Sequence, residues 1–189
     1  MNIKQFFTRK EIEDLVISAL VITFILSYPT FEIFFLCLVT VLIAFVFHEL
    51  AHKFLAIKFH CTTYYEMWPI GLLFSLAMMF LGIKILAPGA VVIKPYRFGR
   101  WGMRTTRLTV PEMGIISLSG PTVNLFFALI FALIPGSIAG FIAGVNAQLA
   151  FFNLLPIPPL DGSKVAQWKP WLWFLLILVS FILMLGIFA

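Results

Sequence analysis

The fold of this chain is organised around residues 31–54, FEIFFLCLVTVLIAFVFHELAHKF, in which a long apolar run ends in the motif H-E-x-x-H. His48 and His52 are four residues apart, so on a helix they share one face and can bind one metal ion. Glu49, beside them, is placed to act as a general base. Ionisable side chains within such an apolar segment are costly unless they are paired or bound to a metal. The motif therefore indicates a functional metal site.

Composition places the chain in a broad class. Its 189 residues are 62% hydrophobic and 11% charged, which is typical of an integral membrane protein. The net charge of +5 does not indicate nucleic-acid binding, because the basic residues cluster in loops. Cys37 and Cys61 are too few for a disulfide framework, and Cys37 is expected to be a small buried side chain. Thr8 and Glu11 have the spacing of a capping box that opens the first helix.

Five apolar segments have about the length of ~20 residues that crosses ~30 Å of hydrocarbon. They are residues 12–28, 31–58, 114–134, 137–156 and 170–188. A sixth segment, 67–86, is weakened by a proline, two glycines and a lysine. The basic loops all lie on the cytoplasmic side only if this segment enters and leaves by one face. We therefore expect a re-entrant hairpin or interfacial helix there, with a sixth full span as the alternative.

Residues 88–112 differ in character from the apolar segments. Residues 91–93 and 105–110 have strand composition and flank the turn sequence FGRWG, which predicts a short β-hairpin at the cytoplasmic membrane surface. The expected fold class is an all-α membrane protein, a polytopic helical bundle with five or six membrane segments and this hairpin. Residues 1–189 are expected to form a single domain.

A catalytic zinc ion uses three protein ligands and keeps one position open. His60 lies about 12 Å beyond His52 on a continuous helix, and Cys61 and Glu66 lie further along, so all three are expected to be interfacial polar residues. Asp161 is the stronger candidate, because the sequence FFNLLPIPPLDGSK breaks a helix with three prolines and a glycine near the same side. An ordinary loop aspartate is the alternative.

Three motifs, in this order, resemble the site-2 protease family of membrane-embedded zinc metalloproteases, which cleave substrates within the bilayer. They are HELAH (48–52), the G-P-x-x-N run (120–124) and N-x-x-P-x-P-P-L-D-G (153–162). The resemblance covers residues 45–164, and the last motif is more specific than H-E-x-x-H alone. Segment 67–86 departs from the simplest family pattern.

The resemblance implies a set of site residues. His48, His52 and Asp161 would bind one Zn²⁺ per chain, and Glu49 would be the general base. Asn153 would lie near the metal and stabilise the oxyanion or hold substrate. Asn124, in the second motif, has an equal case for helix packing and for catalysis.

The function implied by the resemblance is hydrolysis of peptide bonds in or near transmembrane segments of substrate proteins, as in regulated intramembrane proteolysis. The expected partners are a transmembrane protein substrate and the lipid bilayer, with no nucleic acid. We expect a multi-pass protein of the cell membrane with its active site toward the cytoplasmic side. A catalytically inactive metal-binding scaffold and an ion transporter are the alternatives, since buried His, Glu and Asp also mark ion paths.

A substrate helix hides its peptide groups in internal hydrogen bonds, so it must unwind before cleavage. An exposed strand from residues 88–112 could then bind the unwound segment by β-augmentation. A basic surface loop that contacts lipid headgroups is the alternative for the same residues.

Overall fold

The computed structural model describes residues 7–84, 86, 88–94, 96–99, 102–105 and 108–188. This part of the chain is mostly helical and contains two small antiparallel sheets. Its elements are, in chain order, α1 Arg9–Ser27, α2 Phe31–Lys58, β1 Thr62–Met67, α3 Pro69–Phe80, β2 Gly89–Lys94, β3 Tyr96–Gly99, β4 Gly102–Thr105, α4 Val110–Ala132, α5 Ser137–Asn153, α6 Asp161–Trp168 and α7 Pro170–Phe188.

Two of the described helices are long and apolar enough to cross a membrane, α2 with 28 residues and α4 with 23. Helices α5 and α7 are apolar but fall short of that test, and α1 carries the buried acidic residues Glu11 and Asp14. Helices therefore lie at all five predicted segments, but only two of them have the length and composition of membrane spans. The count of five or six membrane segments remains a prediction.

Helix α1 begins where the capping pattern places it. The Glu11 N–H donates to Thr8 Oγ1 at 3.2 Å, and the Thr8 N–H donates to the Glu11 carboxylate at 3.4 Å. This confirms the predicted capping box, which satisfies backbone donors that the first turn leaves open. The helix starts at Arg9, directly after Thr8, and the apolar segment predicted from residue 12 lies within it.

The outer faces of the helices carry large apolar side chains. Phe35 in α2 is 78% exposed, Ile70 in α3 is 70% exposed and Leu133 at the end of α4 is 85% exposed. Exposed apolar surface of this extent is typical of proteins that contact membranes or partners. Cys37, in contrast, is fully buried, as expected.

Helix α2 changes its winding just before the H-E-x-x-H motif. Residues Leu42–Val46 form a π-helical segment between two α-helical stretches, and the Phe47 N–H donates to the carbonyl of Leu42, five residues back. Such π-segments are frequent at functional sites. This one leads directly into the helical turn that carries the two histidines.

The predicted hairpin was wrong in its strand pairing. Val91 of β2 pairs with Tyr65 of β1, a strand that precedes α3, and not with residues 105–110. Helix α4 begins at Val110 because Thr109 and Glu112 form a second capping box, which ends strand structure before that point. The sequence FGRWG overlaps β3 and β4, which pair antiparallel within residues 96–105, and its middle residues 100 and 101 lie outside the described part of the chain.

The β1–β2 pairing also constrains segment 67–86. Met67 pairs with Gly89, and the Trp68 N–H donates to Pro88 O at 2.9 Å, so the segment leaves and returns at one place. Its helix, α3, has 12 residues and is about 18 Å long, too short to cross a bilayer alone. Entry of this segment into a membrane remains a prediction.

Helix α4 holds the centre of the fold, since it packs against α5, α6 and the second half of α2. Its Gly114 lies against Trp168 of α6, and a Cβ there would overlap the Trp168 side chain. This close approach holds α6, which begins with Asp161, against α4, and α4 in turn packs on the part of α2 that carries the histidines.

Candidate metal centre

The two histidines and the predicted carboxylate meet in one buried cluster. Nε2 of His48 and Nε2 of His52 are 2.9 Å apart. Asp161 Oδ2 lies 3.5 Å from the first and 3.0 Å from the second. One ligand atom from each residue lies within 4.8 Å of the other two. The cluster does not include His60, Cys61 or Glu66.

The chain brings Asp161 to the histidines through a turn between α5 and α6. Helix α5 ends at Asn153 and α6 begins at Asp161, with the proline-rich stretch between them. Gly162 lies so close to the carbonyl of Leu154 that a Cβ there would overlap it. The glycine thus lets the chain fold back onto the end of α5 and directs the carboxylate inward.

Hydrogen bonds at Nδ1 fix the roles of the other ring nitrogens. His48 Nδ1 lies 2.5 Å from Asn124 Oδ1, and His52 Nδ1 lies 2.8 Å from the carbonyl oxygen of Ile116. Both partners accept hydrogen bonds, so each neutral ring carries its proton on Nδ1. The Nε2 lone pairs therefore face each other and Asp161. Three acceptors that converge in this way form a site suited to a metal cation.

Gly120 of helix α4 leaves space beside the two imidazoles for that cation. A Cβ on Gly120 would overlap Nε2 of both His48 and His52. The backbone of α4 therefore lies directly against the imidazoles, and any larger residue at this position would displace them.

The donor set fits zinc. Burial would raise the pKa of Asp161, but His52 and His48 lower it more through charge and hydrogen bonds, so the pKa of this carboxyl lies well below its usual range. The group is therefore an ionised carboxylate at neutral pH. Two imidazoles and a carboxylate are a ligand set of catalytic zinc sites, which leave a fourth position open.

Glu49 lies beside the cluster with an unusual environment. Its side chain is buried, and its Oε2 atom has no hydrogen-bond partner among the described residues. The backbone N–H of Val91, in β2, hydrogen-bonds the same carboxylate. A buried carboxylate oxygen without a partner is costly. This cost indicates that Glu49 serves the activity of the protein rather than its stability.

Two adjoining cavities open onto these residues. One, of about 140 Å³, is lined by the two histidines, Glu49, Asp161 and residues of β2. The other, of about 610 Å³, has a largely apolar lining that includes Phe45 and Trp68. Glu49 and Asn153 line both cavities, so they lie where the smaller cavity, which contains the histidines and Asp161, meets the larger one.

Asn153 lies near the cluster, as predicted, but its amide is engaged locally. Its Nδ2 donates to the carbonyl of Leu149 at 3.0 Å, one turn earlier in α5. The side chain is half-buried at the cavity wall. Its catalytic role remains a prediction.

Sequence reasoning named Asn124, for helix packing or for catalysis, but it missed Asn146 and the carbonyl of Ile116. Asn124 accepts from His48, and Asn146 of α5 in turn accepts from Asn124 Nδ2 at 3.1 Å. A signal for Asn146 was present, since an amide within the apolar sequence of α5 needs a buried partner. The role of the Ile116 carbonyl could not be predicted from the sequence, because every residue carries a backbone carbonyl.

Fold and site together define a helical protein with a buried two-histidine, one-carboxylate centre that fits zinc. "Putative zinc metalloprotease MJ0611" of Methanocaldococcus jannaschii is 40% identical over 181 residues, which cover 88% of each chain. "Putative zinc metalloprotease YwhC" of Bacillus subtilis is 29% identical over 148 residues, 68% of this chain and 66% of that protein. No protein-family model and no solved structure matches the chain. The chain belongs to the zinc metalloprotease family of these relatives, and its cofactor is zinc.

Proposed function

We propose that this chain is an intramembrane zinc metalloprotease of the site-2 type, which hydrolyses peptide bonds in or near transmembrane segments of substrate proteins. The observation that carries the proposal is the cluster of His48, His52 and Asp161 with the unpartnered Glu49 carboxylate beside it. This cluster lies in a chain whose helices expose apolar side chains outward. The order of its three motifs supports the site-2 type.

The proposed setting is a cell membrane that the chain crosses several times, with the active site toward the cytoplasmic side. Helices α2 and α4 have the length and composition of spans, and six of the 13 Lys and Arg residues fall in the segment 59–109 between these two helices. The return of segment 67–86 to its starting point supports a re-entrant arrangement.

In this proposal His48, His52 and Asp161 would hold one zinc ion. When bound, zinc would lower the pKa of a water molecule to about 7 and would polarise a carbonyl. The chain itself supplies the orientation of the rings through Asn124 and Ile116. The partly enclosed cavity limits competing water.

Glu49 moves the proton. Its carboxylate accepts a proton from the water whose oxygen attacks the scissile carbonyl carbon, and it then delivers that proton to the leaving nitrogen as the C–N bond breaks. The products are a carboxylate and an amine. Asn153, at the junction of the two cavities, is placed to donate its amide N–H to the substrate carbonyl oxygen once it releases the carbonyl of Leu149.

The substrate strand would add to the open edge of β2. On β1 the N–H groups of Tyr65 and Met67 point away from β2, where the carboxylates of Glu11 and Asp14 accept them at 3.0 Å and 3.5 Å. The outer edge of β1 is thereby occupied. Since backbone directions alternate along a strand, the register places the outward groups of β2 on its odd-numbered residues.

Those outward groups belong to Gly89, Val91 and Ile93, and all three residues line the cavity that holds the histidines. The outward N–H of Val91 is the one that hydrogen-bonds Glu49, so the carbonyl of Val91 and the groups of Gly89 and Ile93 are left to pair with a substrate. An unwound substrate segment that pairs with them by β-augmentation would pass directly over Glu49. Its apolar side chains would enter the larger cavity, which is lined mainly by apolar residues.

Cleavage by purified protein in liposomes tests this function. A single-pass helical substrate is incubated with wild type, with and without a zinc chelator, and with Glu49→Gln. We expect chelator-sensitive cleavage by wild type, and a Glu49→Gln variant that keeps zinc but does not cleave. Glu13→Gln is the control, because the Glu13 carboxylate only pairs with exposed Arg9 at 2.9 Å. Zinc binding without cleavage would indicate a scaffold, and metal-dependent ion flux without cleavage would indicate a transporter.

A further inference from the structure

We propose that Asn124 and Asn146 form an amide lock, in which Asn146 fixes the orientation of Asn124 so that His48 presents only Nε2 to the metal. The inference rests on the zinc site of the proposed function and does not depend on proteolysis. Both asparagines are positioning residues, since neither belongs to the cluster of metal-ligating atoms.

Asn124 makes three hydrogen bonds that together exhaust its amide donors. Its Oδ1 accepts from His48 Nδ1 at 2.5 Å. Its Nδ2 donates to the carbonyl of Ala44 at 2.7 Å and to Asn146 Oδ1 at 3.1 Å. The side chain is 0% exposed, so water cannot replace any of these partners. The amide therefore has one orientation that satisfies every neighbour.

Asn146 is held in turn by its own helix. Its Nδ2 donates to the carbonyl of Ile142 at 2.9 Å, one turn earlier in α5. That bond leaves Oδ1 as the atom that faces Asn124. Asn146 is also 0% exposed. The lock thus connects α5 to α4, and through Ala44 it reaches the π-helical segment of α2.

A rotated Asn124 amide shows why the second asparagine matters. With the amide turned over, Oδ1 would face the carbonyl of Ala44 and Oδ1 of Asn146, and Nδ2 would face His48. Two acceptor pairs would then oppose each other in a buried space, which is strongly unfavourable. His48 would be driven to carry its proton on Nε2, the atom that must bind zinc.

His52 needs no second side chain to fix the orientation of its ring. The Nδ1 atom of His52 bonds the backbone carbonyl of Ile116, and a carbonyl oxygen cannot exchange places with a donor. His48 is oriented by a side-chain amide, whose two ends can exchange. Asn146 therefore keeps an acceptor at Nδ1 of His48, as the peptide backbone does at Nδ1 of His52.

Two nearly isosteric variants of Asn146 test the lock. Asn146→Asp keeps an oxygen that accepts from Asn124, whereas Asn146→Leu removes it. We expect Asn146→Leu to lower zinc affinity about 10–100-fold, the range for groups that orient metal ligands, and Asn146→Asp to recover most of that loss. Affinity is measured by chelator competition in detergent. Gln148→Ala, in the same helix, is the control and should bind zinc like wild type.

A second measurement on metal-free protein separates orientation from general damage. With ¹⁵N-labelled histidine, at a pH where imidazole is neutral, the nitrogen shifts show which ring atom carries the proton. His48 should carry it on Nδ1 in wild type and in Asn146→Asp, and partly on Nε2 in Asn146→Leu. The His52 tautomer should be the same in all three.

The lock is overturned if Asn146→Leu binds zinc like wild type, or if His48 keeps its proton on Nδ1 in that variant. Failure of Asn146→Asp to recover affinity would also contradict it. Should Asn146→Leu not fold, Asn146→Ala removes the same oxygen with a smaller side chain and is read by the same criteria. A wild-type protein that binds no zinc would refute the metal site of the proposed function, while the tautomer of His48 would still test the lock.

Discussion

Adjacent residues of helix α2 belong to two buried polar clusters that are satisfied in different ways. Lys53 forms an ion pair with Glu11, each side chain only 2% exposed, and Glu11 also accepts from the N–H of Tyr65. In this structural cluster, donors and acceptors match. At His52, one residue earlier, two ring nitrogens and the Asp161 carboxylate converge as acceptors alone.

The difference distinguishes a structural cluster from a binding site. A buried ion pair whose charges offset each other needs nothing further. A buried group of acceptors needs a cation, and the unpartnered oxygen of Glu49 beside it needs a donor. Both clusters contain buried ionisable side chains in an apolar helix, so burial alone would not tell them apart.

The largest expected effect comes from Gly120→Ala. The added Cβ would overlap the Nε2 atoms of both histidines, so we expect the variant to fold and to lose stoichiometric zinc. Metal analysis of the purified protein measures this. The Lys53–Glu11 pair, on the α1 side of helix α2, should keep its contribution to thermal stability.

Gly140→Ala is the matched control, because a Cβ on Gly140 meets nothing within 4 Å. It should retain full zinc content. Full zinc content in Gly120→Ala as well would show that α4 does not lie against the imidazoles.

Asp161→Asn should weaken zinc binding by more than about 100-fold, because it replaces a charged ligand and not a group that merely orients one. Chelator competition gives the affinity. Asp14→Asn, on α1 beside β1, is the control and should leave the affinity unchanged. An unchanged zinc stoichiometry and affinity in Asp161→Asn would mean that a different residue is the third ligand.

Acidification should release zinc through the histidines and not through Asp161. The pKa of Asp161 lies below its ordinary value, so this carboxylate stays ionised as pH falls toward 5. Imidazole must be neutral to bind metal, so protons compete with zinc for the two histidines. We expect zinc affinity to fall as the pH is lowered toward 5, with uptake of protons as zinc is released. A zinc affinity that stays constant over this range would contradict the two histidines as ligands.

Lys53→Met should have the smallest effect on zinc and a large one on stability. Removing the lysine leaves Glu11 buried without its cation, and breaking a buried pair in this way costs about 3–5 kcal/mol. The double variant Lys53→Met with Glu11→Leu should recover much of that loss. Thermal unfolding with zinc bound measures stability, and chelator competition should show wild-type affinity. A large loss of zinc affinity would show that the two clusters are coupled.

The sequence allowed the cluster of His48, His52 and Asp161 to be predicted because its signals are local. The spacing of His48 and His52 is set by helical periodicity. The prolines and glycine around Asp161 mark a helix break, which is expected where the backbone lines a site. The helices also lie close to the predicted segments, since apolar runs and capping residues mark them directly.

The strand pairing was not predictable in the same way. Val91 finds its partner, Tyr65, on the far side of α3, and nothing in residues 91–93 encodes that distant strand. The orientation of the rings was also hidden, since His52 is held by a backbone carbonyl and His48 by an amide on another helix. Contacts of this kind depend on how helices pack, which composition and spacing do not specify.

The central claim is that one zinc ion is bound by His48, His52 and Asp161. Anomalous diffraction from crystals of the wild-type protein, collected on both sides of the zinc absorption edge, tests it most directly. The account predicts one strong peak per chain within about 2.0–2.2 Å of Nε2 of both histidines and of the Asp161 carboxylate. A peak elsewhere, or a zinc-loaded chain with no peak among these three side chains, would contradict it.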